Sequence, residues 1–171
     1  SVSVTTIDND LAGMTATPSG GSTAVSETGS TDTFTVVLDT LPASNVVVDV
    51  TASDTTEATV SPSSLTFTTG NWNSAQTVTV TGVDDSVADG NITTVITLAI
   101  NDGSSSDEYD PVSNISLSVS TTDDDEAKLQ FRHGGDVGET TIVSENGTTD
   151  TMMLRLKSEP TATVVVNLVS T

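Results

Sequence analysis

The 171-residue chain has no cysteine, so no disulfide framework holds it, and a small domain working outside the cell would need another staple. Basic residues are nearly as scarce. Four Lys and Arg stand against 24 Asp and Glu, a formal net charge of −20, which excludes nucleic acid and anionic membrane as partners and favours cations. No run approaches the ~18 apolar residues of a membrane span, so membrane insertion is not expected of this segment. Aromatic residues make up only 3%, yet regular alternation of Val, Ile, Leu and Thr still implies a packed core. No Gly-x-Ser-x-Gly elbow occurs, and the single histidine, His133, sits in a glycine-rich stretch far from any Ser-His-Asp arrangement. Enzymatic activity is therefore not expected.

Ser, Thr, Val, Asp and Gly dominate instead, a composition of short strands and turns with helix nearly absent. Strand-like runs cover Met14 to Thr17, Thr33 to Leu38, Val46 to Ala52, Leu65 to Phe67, Gln76 to Thr81, Thr93 to Ile100 and Ile115 to Thr122, with Ala24 to Glu27 competing for the first place. Pro18-Ser-Gly-Gly21, Leu41-Pro-Ala-Ser44, Ser61-Pro-Ser-Ser64, Asp89-Gly90 and Asp102-Gly103 supply the turns. About seven such strands predict an all-β, immunoglobulin-like antiparallel β-sandwich. Trp72 follows a Gly-Asn turn and is expected to plug one edge.

The chain also repeats itself. Ser1 to Ala12 reads Ser-Val-Ser-Val-Thr-Thr-Ile-Asp-Asn-Asp-Leu-Ala, and Ser116 to Ala127 reads Ser-Leu-Ser-Val-Ser-Thr-Thr-Asp-Asp-Asp-Glu-Ala, an offset of 115 that sets Asp8 on Asp123. Val25-Ser-Glu27, Gly29, Leu38, Pro42 and Val46-Val-Val48 then recur as Val143-Ser-Glu145, Gly147, Leu156, Pro160 and Val164-Val-Val166, an offset of 118. The three extra residues fall near Phe131 to Gly138. The expected organisation is the end of one repeat at residues 1–10, a complete sandwich at 11–125, and the opening strands of another repeat at 126–171.

In an up-and-down count successive strands end at opposite poles. If Ile115 to Thr122 ends at the upper pole, the loops bearing Glu27, Asp32, Asp54, Glu57, Asp84, Asp85 and Asp89 gather there beside Asp123, Asp124 and Asp125. Asp8 and Asp10 then enter at the lower pole, with Asp102, Asp107, Glu108 and Asp110. Each close carboxylate pair costs roughly 1 kcal/mol of repulsion in water and more in a lower dielectric, which a hard divalent cation removes. Calcium, with six to eight oxygen ligands in a flexible shell, suits several loops better than magnesium does.

The block Val60 to Asp85, with Val25-Ser-Glu27 upstream and the closing Thr122-Asp-Asp-Asp125, resembles the Calx-beta repeats, calcium-binding sandwiches of sodium/calcium exchangers and large bacterial surface proteins. The resemblance implies metal ligands at Glu27, Asp84, Asp85 and Asp123 to Asp125, with Asp89 in a further acidic position. Asp8 and Asp10 are the counterparts of Asp123 and Asp125 in the preceding copy, and Glu145 is the counterpart of Glu27 in the following one. Ser53-Asp-Thr-Thr-Glu-Ala58 departs from the family's signature, so Asp54 and Glu57 are not counted as ligands. The function this implies is a calcium-stiffened extender of an extracellular or cell-surface adhesin, filament or matrix protein, with neighbouring repeats as its partners. The alternatives are a glycan- or protein-recognition module and a filament subunit in which copies of the chain exchange strands.

Overall fold

A computed structural model describes residues 1–5, 9–133, 136–137, 143, 145–147 and 149–169. The chain divides into two compact units, Ser1–Asp84 with Asn91–Thr122, and Asp85–Gly90 with Asp123–Thr171. Among the described residues no helix is long and apolar enough to cross a membrane.

The first unit is a β-sandwich of nine strands: β1 (Met14–Pro18), β2 (Thr23–Ser26), β3 (Thr31–Leu38), β4 (Val46–Ala52), β5 (Ala58–Ser61), β6 (Ser64–Phe67), β7 (Gln76–Gly82), β8 (Ile92–Ile100) and β9 (Ile115–Thr122). One sheet has the order β1-β3-β7-β5 and the other β2-β9-β8-β4-β6. Each of the seven runs read from the sequence is a strand, and two more join them. The competition for first strand is resolved by using both candidates. Ser19–Gly21 makes a tight turn in which Gly20 and Gly21 take left-handed φ of 65° and 86°, moving the chain from the edge of one sheet to the edge of the other. There β2 pairs with β9 in parallel, a departure from the all-antiparallel expectation.

Period-two alternation decides which side chains go inside. Phe34, Val36 and Leu38 of β3, Val46, Val48 and Val50 of β4, Val78 and Val80 of β7, and Ile96 and Leu98 of β8 form one buried cluster. Each such side chain contributes on the order of 2 kcal/mol by leaving water. Trp72 packs against this cluster and its carbonyl accepts from the Leu38 N–H at 3.1 Å, consistent with an edge plug. Tyr109 closes the lower end. It is fully buried, and its O–H donates to the Thr40 carbonyl at 2.6 Å, so the phenol keeps a partner inside.

Asp32 fixes the sheet-switching turn. Its carboxylate accepts from the Ser19 hydroxyl, from the Ala24 N–H at 3.0 Å and from the Thr33 N–H at 2.7 Å, and the Ser19 bond foremost holds its pKa below the usual carboxylate value. A depressed native pKa gives stability that is present above the unfolded-state pKa near 4 and is lost as pH falls through the native value. Asp32→Asn is therefore expected to cost about 1 kcal/mol at pH 7. The gap to wild type should close below about pH 4. Urea unfolding of both proteins across that range checks it, and a pH-independent gap would contradict it.

Among the described residues before Met14 there is no strand, and Val2 and Val4 are exposed. The same alternating pattern becomes β9 where β8 and β2 flank it and bond to both edges. An alternating sequence needs a partner before it is a strand.

The second unit holds β10 (Leu129–His133), β11 (Asp136–Val137) and β12 (Met152–Leu156), in the order β11-β10-β12. The β10–β12 register opens Leu129↔Leu156, the counterpart of Met14↔Leu38 in β1–β3 at the sequence offsets of 115 and 118. One further bond recurs. Lys157 N–H donates to the Lys128 carbonyl at 2.8 Å, as Asp39 N–H donates to Gly13 at 2.9 Å. The turns also match, since Gly29 after Glu27 and Gly147 after Glu145 have φ of 80° and 81°. Burial does not match: Met152 is 52% exposed where its counterpart Phe34 is 1% exposed.

Candidate functional site

Strand directions gather the upper-pole loops of the first unit. β2, β4, β7 and β9 all end there, because β2 is parallel to β9 and both β4 and β9 are antiparallel to β8, while β2 turns directly into β3, which runs antiparallel to β7. Two carboxylates meet at this end: Glu27 is 1% exposed, Glu57 is 5% exposed, and each offers an oxygen within 4.8 Å of the other.

Backbone bonds fix both residues. Glu27 N–H donates to the Thr122 carbonyl at 3.1 Å, continuing the β2–β9 ladder to the residue that precedes Asp123. The turn that follows is closed by Gly29 N–H on the Ser26 carbonyl at 3.1 Å and by the Ser30 hydroxyl oxygen, which accepts from the Ser26 N–H at 2.7 Å. The Glu57 carbonyl accepts from Val83 N–H at 2.9 Å and from the buried Thr121 hydroxyl at 3.4 Å, tying it to the ends of β7 and β9. Asp54 serves its own loop instead. Its carboxylate accepts from the Thr56 hydroxyl at 2.6 Å and N–H at 3.0 Å, which lowers its pKa.

The charge balance of the first unit is one-sided. Every Lys, Arg and His of the chain lies at 128, 132, 133, 155 or 157, so residues 1–125 carry no basic side chain. Two carboxylates buried together in a region without its own side-chain cations form a hard, all-oxygen donor set. Such a set fits calcium, and the absence of Cys and His from the region offers zinc or copper nothing selective.

Of the other predicted ligands, Asp84 is exposed at the end of the first unit's β7 segment. Asp85, Asp89 and Asp123 to Asp125 belong to the second unit. There the Asp123 carboxylate accepts from Gly90 N–H at 2.6 Å and from Asp125 N–H at 2.7 Å, joining the 85–90 segment to the residues that follow β9. Asp85 accepts from Val87 N–H at 2.7 Å and is exposed, as are Asp89 and Asp124. Glu145 is exposed in its turn, outside any closely spaced acidic group among the described residues. Asp10 precedes β1 and so enters at the opposite pole from Glu27; Asp8 lies outside the described residues.

Glu57 is the residue the sequence reading left out. Its signal was position: it immediately precedes β5, a four-residue strand whose partner β7 lies well downstream. The lower pole is acidic too, but committed to structure. Glu108 accepts from Ala43 N–H at 2.6 Å and from the Ser106 hydroxyl at 2.7 Å, which lowers its pKa, while desolvation and then neighbouring Asp102 raise that of Asp110.

No family model matches the chain, and no curated protein matches it in sequence. Solved structures do resemble it in fold. The apo-form Calx CBD1 domain is 19% identical over 68% of this chain and 100% of that one, with a TM-score of 0.47. CBD12 from CALX1.2 is 20% identical over 75% of this chain and 52% of that one, with a TM-score of 0.46. The E. coli chaperone DraB is 8% identical over 68% and 59%, also at 0.46. Likenesses this distant say nothing about what the chain binds.

Proposed function

We propose that the chain is a calcium-binding, Calx-beta-like tandem repeat that serves as a structural extender in an extracellular or cell-surface protein. The observation that carries this is the buried pair Glu27 and Glu57, set where β2, β4, β7 and β9 end, in a unit whose own sequence has no basic side chain. The sequence resemblance nominates Asp84, Asp85, Asp89 and Asp123 to Asp125 as further ligands. Calcium supplies positive charge that the sequence withholds. Its binding would tie the loops of this pole together and so stiffen the repeat. The repeat reading is supported by the recurrence of register, turn and backbone bond in the second unit.

The test is thermal unfolding of the full chain as calcium is raised from chelator, with magnesium as control. Extracellular modules bind calcium at roughly 0.1 to 1 mM, so the midpoint should rise and level off in the millimolar range, with a weaker magnesium response. A flat calcium response would reduce the acidic pole to solvated surface.

A further inference from the structure

The second unit contains a cavity of about 390 Å³. Its apolar wall includes Ala127, Leu129, Leu156, Pro160 and Val164, with Ser158 at the polar side and Val87 and Ala88 closing one flank. At the repeat offsets these wall residues correspond to Ala12, Met14, Leu38, Pro42 and Val46, and Ser158 to Thr40. In the first unit that end of the sandwich is sealed by Tyr109.

The seal is built from one segment, Ser105 to Tyr109. Tyr109 gives its O–H to the Thr40 carbonyl, Glu108 accepts from Ala43 N–H, and Ser106 Oγ accepts from Ser44 N–H at 3.2 Å. Ser105 Oγ accepts from Val47 N–H at 3.0 Å and donates to its carbonyl at 3.2 Å. The backbone groups that receive this segment recur in the second unit at Ser158, Thr161, Ala162 and Val165, and Val165 is 77% exposed.

We propose that this cavity is the seat of a tyrosine carried on a Ser-Ser-Asp-Glu-Tyr turn from a repeat of this same type. The ring would enter the apolar wall, and the hydroxyl would donate to the Ser158 carbonyl as Tyr109 does to Thr40. The volume suits the ring, since a dry cavity of roughly 150 Å³ already accepts benzene. The inference rests on the repeat reading but not on calcium.

A peptide of residues 101–114 is the probe, titrated into the isotopically labelled full chain and followed through backbone amide signals, in calcium and in chelator. Saturable shifts confined to residues 85–90 and 127–165 and at least tenfold weaker binding when the peptide tyrosine is replaced by Ala are expected. Ala127→Trp, which fills the cavity, should abolish the shifts without altering signals of the β3–β7 core. Absence of binding, equal binding of the Ala peptide, or self-association of the chain through this face with no peptide effect would each overturn the proposal. A missing calcium response in the unfolding assay would instead strike only the metal reading.

Discussion

Glu27→Gln is expected to remove most of the calcium-dependent rise in the unfolding midpoint while leaving the protein folded in chelator. A ligand at a hundred times its dissociation constant adds about 2.7 kcal/mol to the native state, which for a domain of this size corresponds to roughly 10 °C. Gln keeps the shape of the side chain and removes its charge. In chelator the variant should match or exceed wild type, because one of two buried like charges is gone. With calcium the order should reverse. Glu57→Gln should behave the same way, and Asp102→Asn at the opposite pole should keep the full rise. Scanning calorimetry of the four proteins in chelator and in 10 mM calcium, an excess of roughly tenfold or more over the expected affinity, decides the matter. A full calcium response in both glutamine variants would place the ion elsewhere.

The second large effect falls on Gly82. A Cβ at this position would run into the Ser26 carbonyl group, lying 2.8 Å from its carbon and 3.3 Å from the Ser26 nitrogen. Those are backbone atoms and cannot rotate aside. The end of β2 would have to move, and Ser26 leads directly into Glu27. Gly82→Ala is expected to cost about 3 kcal/mol, the upper end for overpacking a well-filled interior, and to blunt the calcium response as well. Gly103→Ala meets nothing within 4 Å and should be nearly neutral. Urea midpoints for the pair measure the difference, and equal midpoints would mean that the β2–β7 contact yields easily.

Much of this fold was legible because period-two alternation is a direct record of which face is buried. The loops of Glu27 and Glu57 fall at one pole despite β5, which went unread, and β2, read only as a rival first strand, for a topological reason. β1 and β2 run in one direction, and so do β5 and β6, so each extra strand divides a pass through the sandwich without adding one. β5 escaped notice because four residues, Ala58 to Ser61, are too few to show a period, and their pairing with β7 is not local. The acids were harder to read. Charge alone does not separate Glu57, which is buried, from Asp85 and Asp124, which face water; that depends on where strands end, and only the folded chain shows it. Asp32 illustrates the same point, since an acid counted toward a cation pole proves to hold a turn together.

The parallel pairing of β2 with β9 has a consequence for a protein under tension. Thr23 to Ser26 lie beside Val119 to Thr122, with the entering chain at one pole and the departing chain at the other. A pull on the two ends of the first unit would slide these strands along one another. All the bonds between them would be strained at once, whereas an antiparallel hairpin pulled at its open end parts one bond at a time. Resistance to forced unfolding is set by the unfolding rate rather than by equilibrium stability. This geometry gives a small sandwich without disulfides a means of enduring force.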